Sequence, residues 1–325
     1  MTKYNFKNSD FSFSPTKNGI YENAKGGTEL MYEGLMSRLP DHYKNKIQII
    51  CSRVRELELD KKYILYLHDC WDDPENTHLR DPESVKRFSK FIFVSYYQFT
   101  TYHLAYGIPH NKSYILKNAI VPIEKHEKPD DGVINLIYHT TPHRGLNILV
   151  PVFEHIASKL DSRVHLDVYS SFKLYGWPDR DKEYEPLFEA CRKHPNITYH
   201  GAKPNNEIRK ALKEAHIFAY PSIWPETSCI AAIEAMSAGC AVIAPDLAAL
   251  SETLHGFGFQ YRYNENMQEH ANFFASILND TIQKVRGNKL EKHLISMKNY
   301  VNMAHSWENR IPQWMAVLDE VLTNG

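Results

Sequence analysis

Short apolar runs alternate along the chain with stretches of helical spacing. The runs Ile47–Cys51, Tyr63–Leu67, Phe91–Ser95, Val133–Tyr138, Val164–Tyr169, Ile197–His200, Ile217–Tyr220 and Cys240–Ala244 are four to six residues long and read as buried strands. Between them apolar residues recur every three or four positions, as in Leu30, Met31, Leu35 and Leu39, or Leu149, Val152, Phe153 and Ile156. Further helices are predicted over 81–89 and 96–106, and through Ile208, Leu212 and Ala215 behind a cap at Asn205 or Asn206. The aromatics of 96–106 (Tyr96, Tyr97, Phe99, Tyr102, Tyr106) make a stripe that is ordinarily core. Strand and helix in alternation predict parallel sheets. After Glu252 the pattern is helical to the end, over 271–282, 290–300 and a last helix carrying Trp314, Val317, Leu318 and Val321. Residues 1–24 show no clean strand, and the Pro- and charge-rich 121–131 (VPIEKHEKPDD) reads as a linker.

The richest stretch is 217–252. Its strand breaks at Pro221, a loop with Trp224 and Pro225 follows, and a helix is predicted to start near Glu226 with Thr227 and Ser228 as capping residues. Ile230, Ile233 and Met236 have helical spacing, and Gly239 stands where a helix end wants a left-handed residue. The unpaired amides of Thr227, Ser228 and Cys229 would then face out of the sheet's carboxyl edge, where a phosphate can sit. On one helix, Glu226 and Glu234 would lie about 80° apart around the axis and about 12 Å along it, set to grip two parts of one elongated ligand. Two glutamates on a helix are ordinarily a solvated face. Glu234, however, sits within Ala231, Ala232, Ile233, Ala235 and Met236, and a carboxylate in such surroundings needs a partner.

Pro221-Ser222, Glu226, seven residues, Glu234, then Ala-Met-Ser-Ala-Gly-Cys-Ala-Val-Ile resembles the donor-site signature of the retaining nucleotide-sugar glycosyltransferases of family 4, within glycosyl transferases group 1. The resemblance spans about residues 25–320 and is strongest over 195–252. It implies an α/β protein of the GT-B fold, in which two Rossmann-like domains face each other across a cleft and a C-terminal helix crosses back to the first. The expected division is an acceptor-side domain 1–124, a donor-binding domain 125–304 and a returning helix 305–325. The resemblance also assigns roles: Glu226 to hydroxyls of the transferred sugar, Glu234 to the ribose, and His68, at a strand end, to the cleft near the anomeric carbon. A histidine merely capping the strand is the plainer alternative for His68. Gly26 and Gly27 match a Gly-Gly loop over the donor, although a Gly-Gly pair before a helix is more often only a turn. Arg144 matches a lysine before Gly-Leu that binds the diphosphate. The family's second basic site is not evident, and His139 or His143 would have to serve. The turns at Ser170-Ser171 and at Gly201-Ala202-Lys203 would frame the base through backbone groups. Ala119 stands where the family's glycine is usual, and Trp307 starts the segment that matches the returning helix. An apolar first strand, usual in such enzymes, is missing or very short here.

Composition narrows the rest. At 325 residues, 43% hydrophobic and 24% charged, the chain suits two globular domains. A balance of 38 basic against 39 acidic residues gives no field for nucleic acid or anionic lipid, so no nucleic-acid partner and at most peripheral membrane contact are expected. No apolar run approaches the roughly 20 residues of a membrane span, and the N-terminus lacks a signal-peptide core. Cys51, Cys70, Cys191, Cys229 and Cys240 have no C-x-x-C spacing, so free thiols and a cytoplasmic location are expected. His68, Asp69, Asp72 and Asp73 raise a metal reading, but acids before a proline commonly cap loops, and no second histidine lies at ligand spacing. No metal or other cofactor is expected beyond the nucleotide-sugar donor. The expected reaction transfers a sugar from a UDP- or GDP-sugar to a hydroxyl of a glycan or glycolipid, with retention. Rivals are a nucleotide-sugar epimerase or phosphorylase of the same fold, a DNA-glycosylating enzyme, and a donor-binding partner subunit without activity. Both glutamates, Arg144 and His68 being present argues against the last.

Overall fold

A computed structural model describes residues 16–20, 26–160 and 163–323. The expected weak first strand within residues 1–24 falls largely outside these. The first sheet contains β1 (Ile47–Cys51), β2 (Lys62–Tyr66), β3 (Phe88–Phe93) and β4 (Ser113–Ile115), all parallel and in chain order. The second contains β5 (Ile134–Tyr138), β6 (Val164–Val168), β7 (Ile197–Tyr199), β8 (Ile217–Ala219), β9 (Ala241–Pro245) and β10 (Phe259–Tyr261), ordered β10-β9-β8-β5-β6-β7 and also parallel. Counted within that sheet the order is 3-2-1-4-5-6, the doubly wound arrangement of dinucleotide-binding folds. The central strands are largely apolar because helices cover both faces: all five residues of β1 and of β9 are buried. Gln48 is the polar exception in β1, and it is satisfied, donating to the carbonyl of Glu56 at 2.9 Å and accepting from the amide of Glu58 at 2.9 Å.

Several boundaries differ from the sequence pattern. β3 begins at Phe88, three residues earlier than expected, because the helix before it spans only Pro82–Arg87 and Phe88 is already extended and buried. The helix Asn205–Glu214 has Pro204 at its N-cap and no side-chain cap; neither Asn205 nor Asn206 serves. The region after Glu252 is not wholly helical. β10 adds a strand of three residues between Gly258 and Arg262, too short to register as an apolar run. The stripe of 96–106 divides as its burial dictates: Tyr102 is fully buried beside Phe93 and Phe99, while Tyr96 is exposed. Among the described residues no helix is long and apolar enough to cross a membrane, and all five cysteines are free thiols.

The chain crosses between the two halves twice, and the crossings lie side by side. The amide of Ile120 donates to the carbonyl of His305 at 2.7 Å, and that of Trp307 donates back to Ile120 at 3.3 Å. Beyond this point the helix Trp307–Thr323 packs on the first sheet, Trp314 meeting Tyr66 edge-on with ring centroids 4.9 Å apart. Val317, Leu318 and Val321 share one cluster with Ile47, Ile49 and Ile64. Polar contacts fasten the same helix: Tyr43 donates to Asp319 at 2.6 Å, Lys90 pairs with Glu320 at 2.6 Å, and Lys62 donates to the carbonyl of Val321 at 2.7 Å. The last helix is therefore a core element of the first half, built from the far end of the sequence. Trp314→Ala is expected to cost about 3–5 kcal/mol of unfolding free energy, read as a lower urea midpoint. A loss under about 1 kcal/mol would mean that the helix is not part of that core.

Candidate functional site

In an open parallel sheet, ligands collect outside the carboxyl ends of the strands where the strand order reverses. In the second sheet that reversal lies between β5 and β8, which pair directly although they are far apart in sequence. After β5 the chain passes through His139, Thr140 and Thr141 into a single 3-10 turn, Pro142–Arg144, closed by Gly145 at φ 116°. A Cβ on Gly145 would stand 2.1 Å from the carbonyl oxygen of Pro221. The loop after β5 thus lies directly on the loop after β8, and only a glycine allows that approach.

This contact brings Arg144 to Glu226. The guanidinium of Arg144 pairs with the Glu226 carboxylate, and the Tyr220 hydroxyl donates to the same oxygen. Arg144 Nε donates to Thr141 Oγ1 at 3.1 Å. Burial acts against its charge, but Glu226, with Tyr175 and Tyr220, outweighs that and holds the Arg144 pKa well above its ordinary value.

The helix carrying the second glutamate starts later than the sequence pattern suggests. It spans Ile230–Ser237 with Cys229 at the N-cap, so Glu226 precedes it and the helical offset between the two glutamates does not apply. The proline-broken loop runs four residues further than expected because its groups are used elsewhere. Thr227 Oγ1 donates to the carbonyl of His68 at 2.6 Å, the Cys229 amide donates to Thr253 Oγ1 at 3.4 Å, and the Ser228 carbonyl accepts from Asn118 at 3.5 Å. The Cys229 amide is thus spent on Thr253, and the amides of the helix's own first turn begin at Ile230. Burial pushes the Cys229 thiol up, so it is uncharged at this helix start.

Glu234 is buried in the second turn, with Arg209 donating to one of its oxygens at 2.8 Å and Asn205 to the other at 2.9 Å. Burial raises its pKa, while Arg209 and then Asn205 draw it back.

The first half supplies the opposite wall. His68 lies just past β2, its amide bonded to Ser52 Oγ at 3.0 Å and its ring 4.1 Å from that of Tyr66. Nε2 has no hydrogen-bond partner among the described residues. Burial, with Arg53 adding to it, lowers the His68 pKa to about 3. Cys70 donates its thiol to the carbonyl of Pro225 at 3.2 Å, a further contact between the halves. Gly26 caps the helix Gly27–Met36, and a Cβ there would stand 2.4 Å from Tyr175 Cε1 of the other half. Ala202 and Lys203 lie in the turn after β7, Lys203 within 3.7 Å of Glu207. Gly26, Gly27, His68, Arg144, Ala202, Lys203, Glu226, Thr227, Ser228, Cys229 and Glu234 all line one cavity of about 1400 Å³ between the halves.

Neither histidine considered for the second basic position is a cation. Burial lowers His139 to about 3, and burial together with Arg144 and Arg180 lowers His143 to about 3. His139 packs on Phe218, and His143 stacks on Phe172 at 5.2 Å. Asp69 pairs with Arg53 at 3.3 Å, Asp73 accepts from the amide of Glu75 at 2.9 Å, and no group of three His, Cys, Asp or Glu among the described residues could hold a metal ion. The sequence pattern missed Tyr220 and Arg209. Arg209 carries one usable signal, its position four residues after Asn205 on the same helix face, which lets both reach Glu234.

Five histidines, His305 buried and His68, His139, His143 and His255 partly buried, with His255 near 4 and His305 near 3, stay neutral in the folded protein. An unfolded chain protonates them near pH 6.5. Below that pH the unfolded state binds more protons, so stability falls as pH drops from about 6.5 toward 4. The urea midpoint should be lower at pH 5 than at pH 7.5; equal midpoints would contradict the burial of these rings.

Comparison with known proteins agrees with this fold. Residues 122–294, more than half of the chain, match the family model described as glycosyl transferases group 1. Among solved structures, a glycosyltransferase from Rickettsia africae ESF-5 superposes with a TM-score of 0.66 at 17% identity, over 94% of this chain and 84% of that one. HepE from Anabaena, in complex with UDP-glucose, gives 0.59 at 18% identity, over 82% and 73%. Sucrose-phosphate synthase from Thermosynechococcus elongatus gives 0.59 at 16% identity, over 82% and 70%. At such identities the likeness is one of fold. No curated protein matches the chain.

Proposed function

Because the chain belongs to glycosyl transferases group 1 and is a nucleotide-sugar-dependent glycosyltransferase, we propose that it is a retaining enzyme of the family 4 type. In this reading it moves a sugar from a UDP-sugar to an acceptor hydroxyl of a glycan or glycolipid. The observation that carries the reading is the convergence of Arg144, Glu226, Glu234 and a helix N-terminus at the strand-order reversal, facing His68 across one cavity. At about 1400 Å³ the cavity exceeds the 300–1000 Å³ usual for one small ligand, leaving room for donor and acceptor together. HepE binds UDP-glucose on the same fold, which makes a UDP-sugar the first donor to test, ahead of a GDP-sugar.

Arg144 and the first-turn amides at Ile230 would hold the diphosphate and stabilise the charge that grows on it as the glycosidic bond breaks. The diphosphate offers Arg144 a new anionic partner, and the sugar hydroxyls offer Glu226 new donors. The Arg144–Glu226 pair would therefore open onto the ligand, with each charge keeping a counterpart. Glu234 would accept from the ribose hydroxyls, and the turn at Ala202 and Lys203 would border the base. His68, neutral at physiological pH, would orient reactants through Nε2 and would not act as a charged acid. The reaction would need no metal, since Arg144 and the helix N-terminus take the role of a cation at the leaving group. Residues 1–124 would carry the acceptor side, 125–304 the donor side, and 305–325 the brace between them. Closure of the halves would keep water from the donor. Five free thiols suit a cytoplasmic enzyme.

A thermal-shift panel of UDP, GDP, ADP, TDP and their sugar conjugates, with EDTA present, tests the donor. At about a hundred times its dissociation constant a ligand adds roughly 2.7 kcal/mol of stability, and UDP should give the largest shift. No shift with any nucleotide would overturn the donor-binding reading. Glu226→Gln keeps the side-chain volume and should cut transfer by roughly 100-fold or more while UDP still binds. Transfer at the wild-type rate would remove Glu226 from the reaction.

A further inference from the structure

Glu234 is 6% exposed and surrounded by Ala231, Ala232, Ile233 and Ala235. An ionised carboxylate is costly in such a place unless a cation and further donors reach it. Arg209, on the helix Asn205–Glu214, gives Nη1 to one carboxylate oxygen at 2.8 Å and Nη2 to the carbonyl of Val121 at 2.8 Å. The planar fork of the guanidinium is thus fixed at both ends, as a lysine could not be. Its backbone anchor is itself held. The amide of Ile123 donates at 2.8 Å to Ser237 Oγ, on the same helix as Glu234, and Ser237 donates to Asn302 at 2.6 Å.

We infer that Arg209 is a positioning residue for the donor: it keeps Glu234 ionised and aimed into the cleft, so that nucleotide affinity at neutral pH depends on it. The inference rests on the reading of Glu234 as acceptor for the ribose. An ionised carboxylate has about four lone-pair sites; Arg209 and Asn205 use two, which leaves two for the paired hydroxyls of a ribose. A protonated carboxyl cannot accept in that way at both oxygens. Other cations near this helix are engaged elsewhere. Lys203 lies by Glu207 at 3.7 Å, and Lys298, on the packed helix Glu291–Ala304, donates to the carbonyl of Glu124 at 3.0 Å. Arg209 is the charged group that faces Glu234, and burial alone drives the Glu234 pKa up.

Calorimetric titration of the full chain with UDP and with its 2′,3′-dideoxy analogue, from pH 6.5 to 9, tests this. Wild type should prefer UDP with little pH dependence. Arg209→Met should bind UDP at least tenfold more weakly at pH 7 and recover affinity toward pH 9, as Glu234 loses its proton. Glu234→Gln should be weak, flat with pH and indifferent to the missing hydroxyls, and adding Arg209→Met to it should cost little more. Arg209→Lys keeps the charge but loses one arm of the fork; it should weaken UDP binding without the pH slope, and serves alone if the methionine variant does not fold. Wild-type affinity in Arg209→Met or Arg209→Lys, or a pH-independent loss that adds fully to that of Glu234→Gln, would overturn the inference. A Glu234→Gln variant that still discriminates against the dideoxy analogue would instead overturn the ribose reading beneath it.

Discussion

A guanidinium and a carboxylate buried against each other at the carboxyl edge of the second sheet set the terms for the cleft. Arg144 and Glu226 come from loops after different strands, and they meet only because Gly145 lets those loops touch. Each is costly to bury alone, and breaking such a pair by removing one partner typically loses about 3–5 kcal/mol. The pair therefore fixes the two loops relative to each other and keeps two opposite charges close at the reversal of strand order. A ligand carrying both an anion and hydroxyls can satisfy both charges at once, whereas a simple anion or a neutral sugar leaves one of them short.

The two buried glutamates are neutralised by different routes. Glu226 takes its cation from the loop that crosses over it and a further hydrogen bond from Tyr220. Glu234 takes its cation from the neighbouring helix, whose arginine is in turn tied to the linker backbone. One carboxylate is thus held by a contact that a ligand can replace, the other by a framework that a ligand can add to. That difference suits a site which must move charge at the leaving group while holding the nucleoside still.

The first half depends on the far end of the chain. Its sheet has four short strands among the described residues, and the helix Trp307–Thr323 completes their core through Trp314 and Leu318. The outgoing and returning segments bond to each other at Ile120 and His305, and the contacts of Thr227 with His68 and of Cys70 with Pro225 hold the wall bearing His68 against the wall bearing Glu226.

Local pattern made most of the second half legible. Strands buried on both faces must be apolar, so β5, β8 and β9 stand out as runs, and Gly239 marks a helix end by its left-handed backbone, φ 74°. Glu234 could be singled out because a carboxylate amid alanines demands a partner, and Glu226 by its spacing from Glu234 after Pro221-Ser222. The spacing of those glutamates did not reveal that only one of them is helical. Loop contacts from Thr227 and Cys229 to distant residues decide where the helix begins. Nor could sequence identify Arg209 and Tyr220 as the partners, or strip His139 and His143 of charge. Burial and pairing between segments far apart in the chain are properties of the assembled fold, and the residues concerned carry no local pattern that records them. Sequence alone determined which residue types and which alternation of strand and helix were present. The tertiary structure decided which charges meet, because that depends on where the strand order reverses and which loops are small enough to touch.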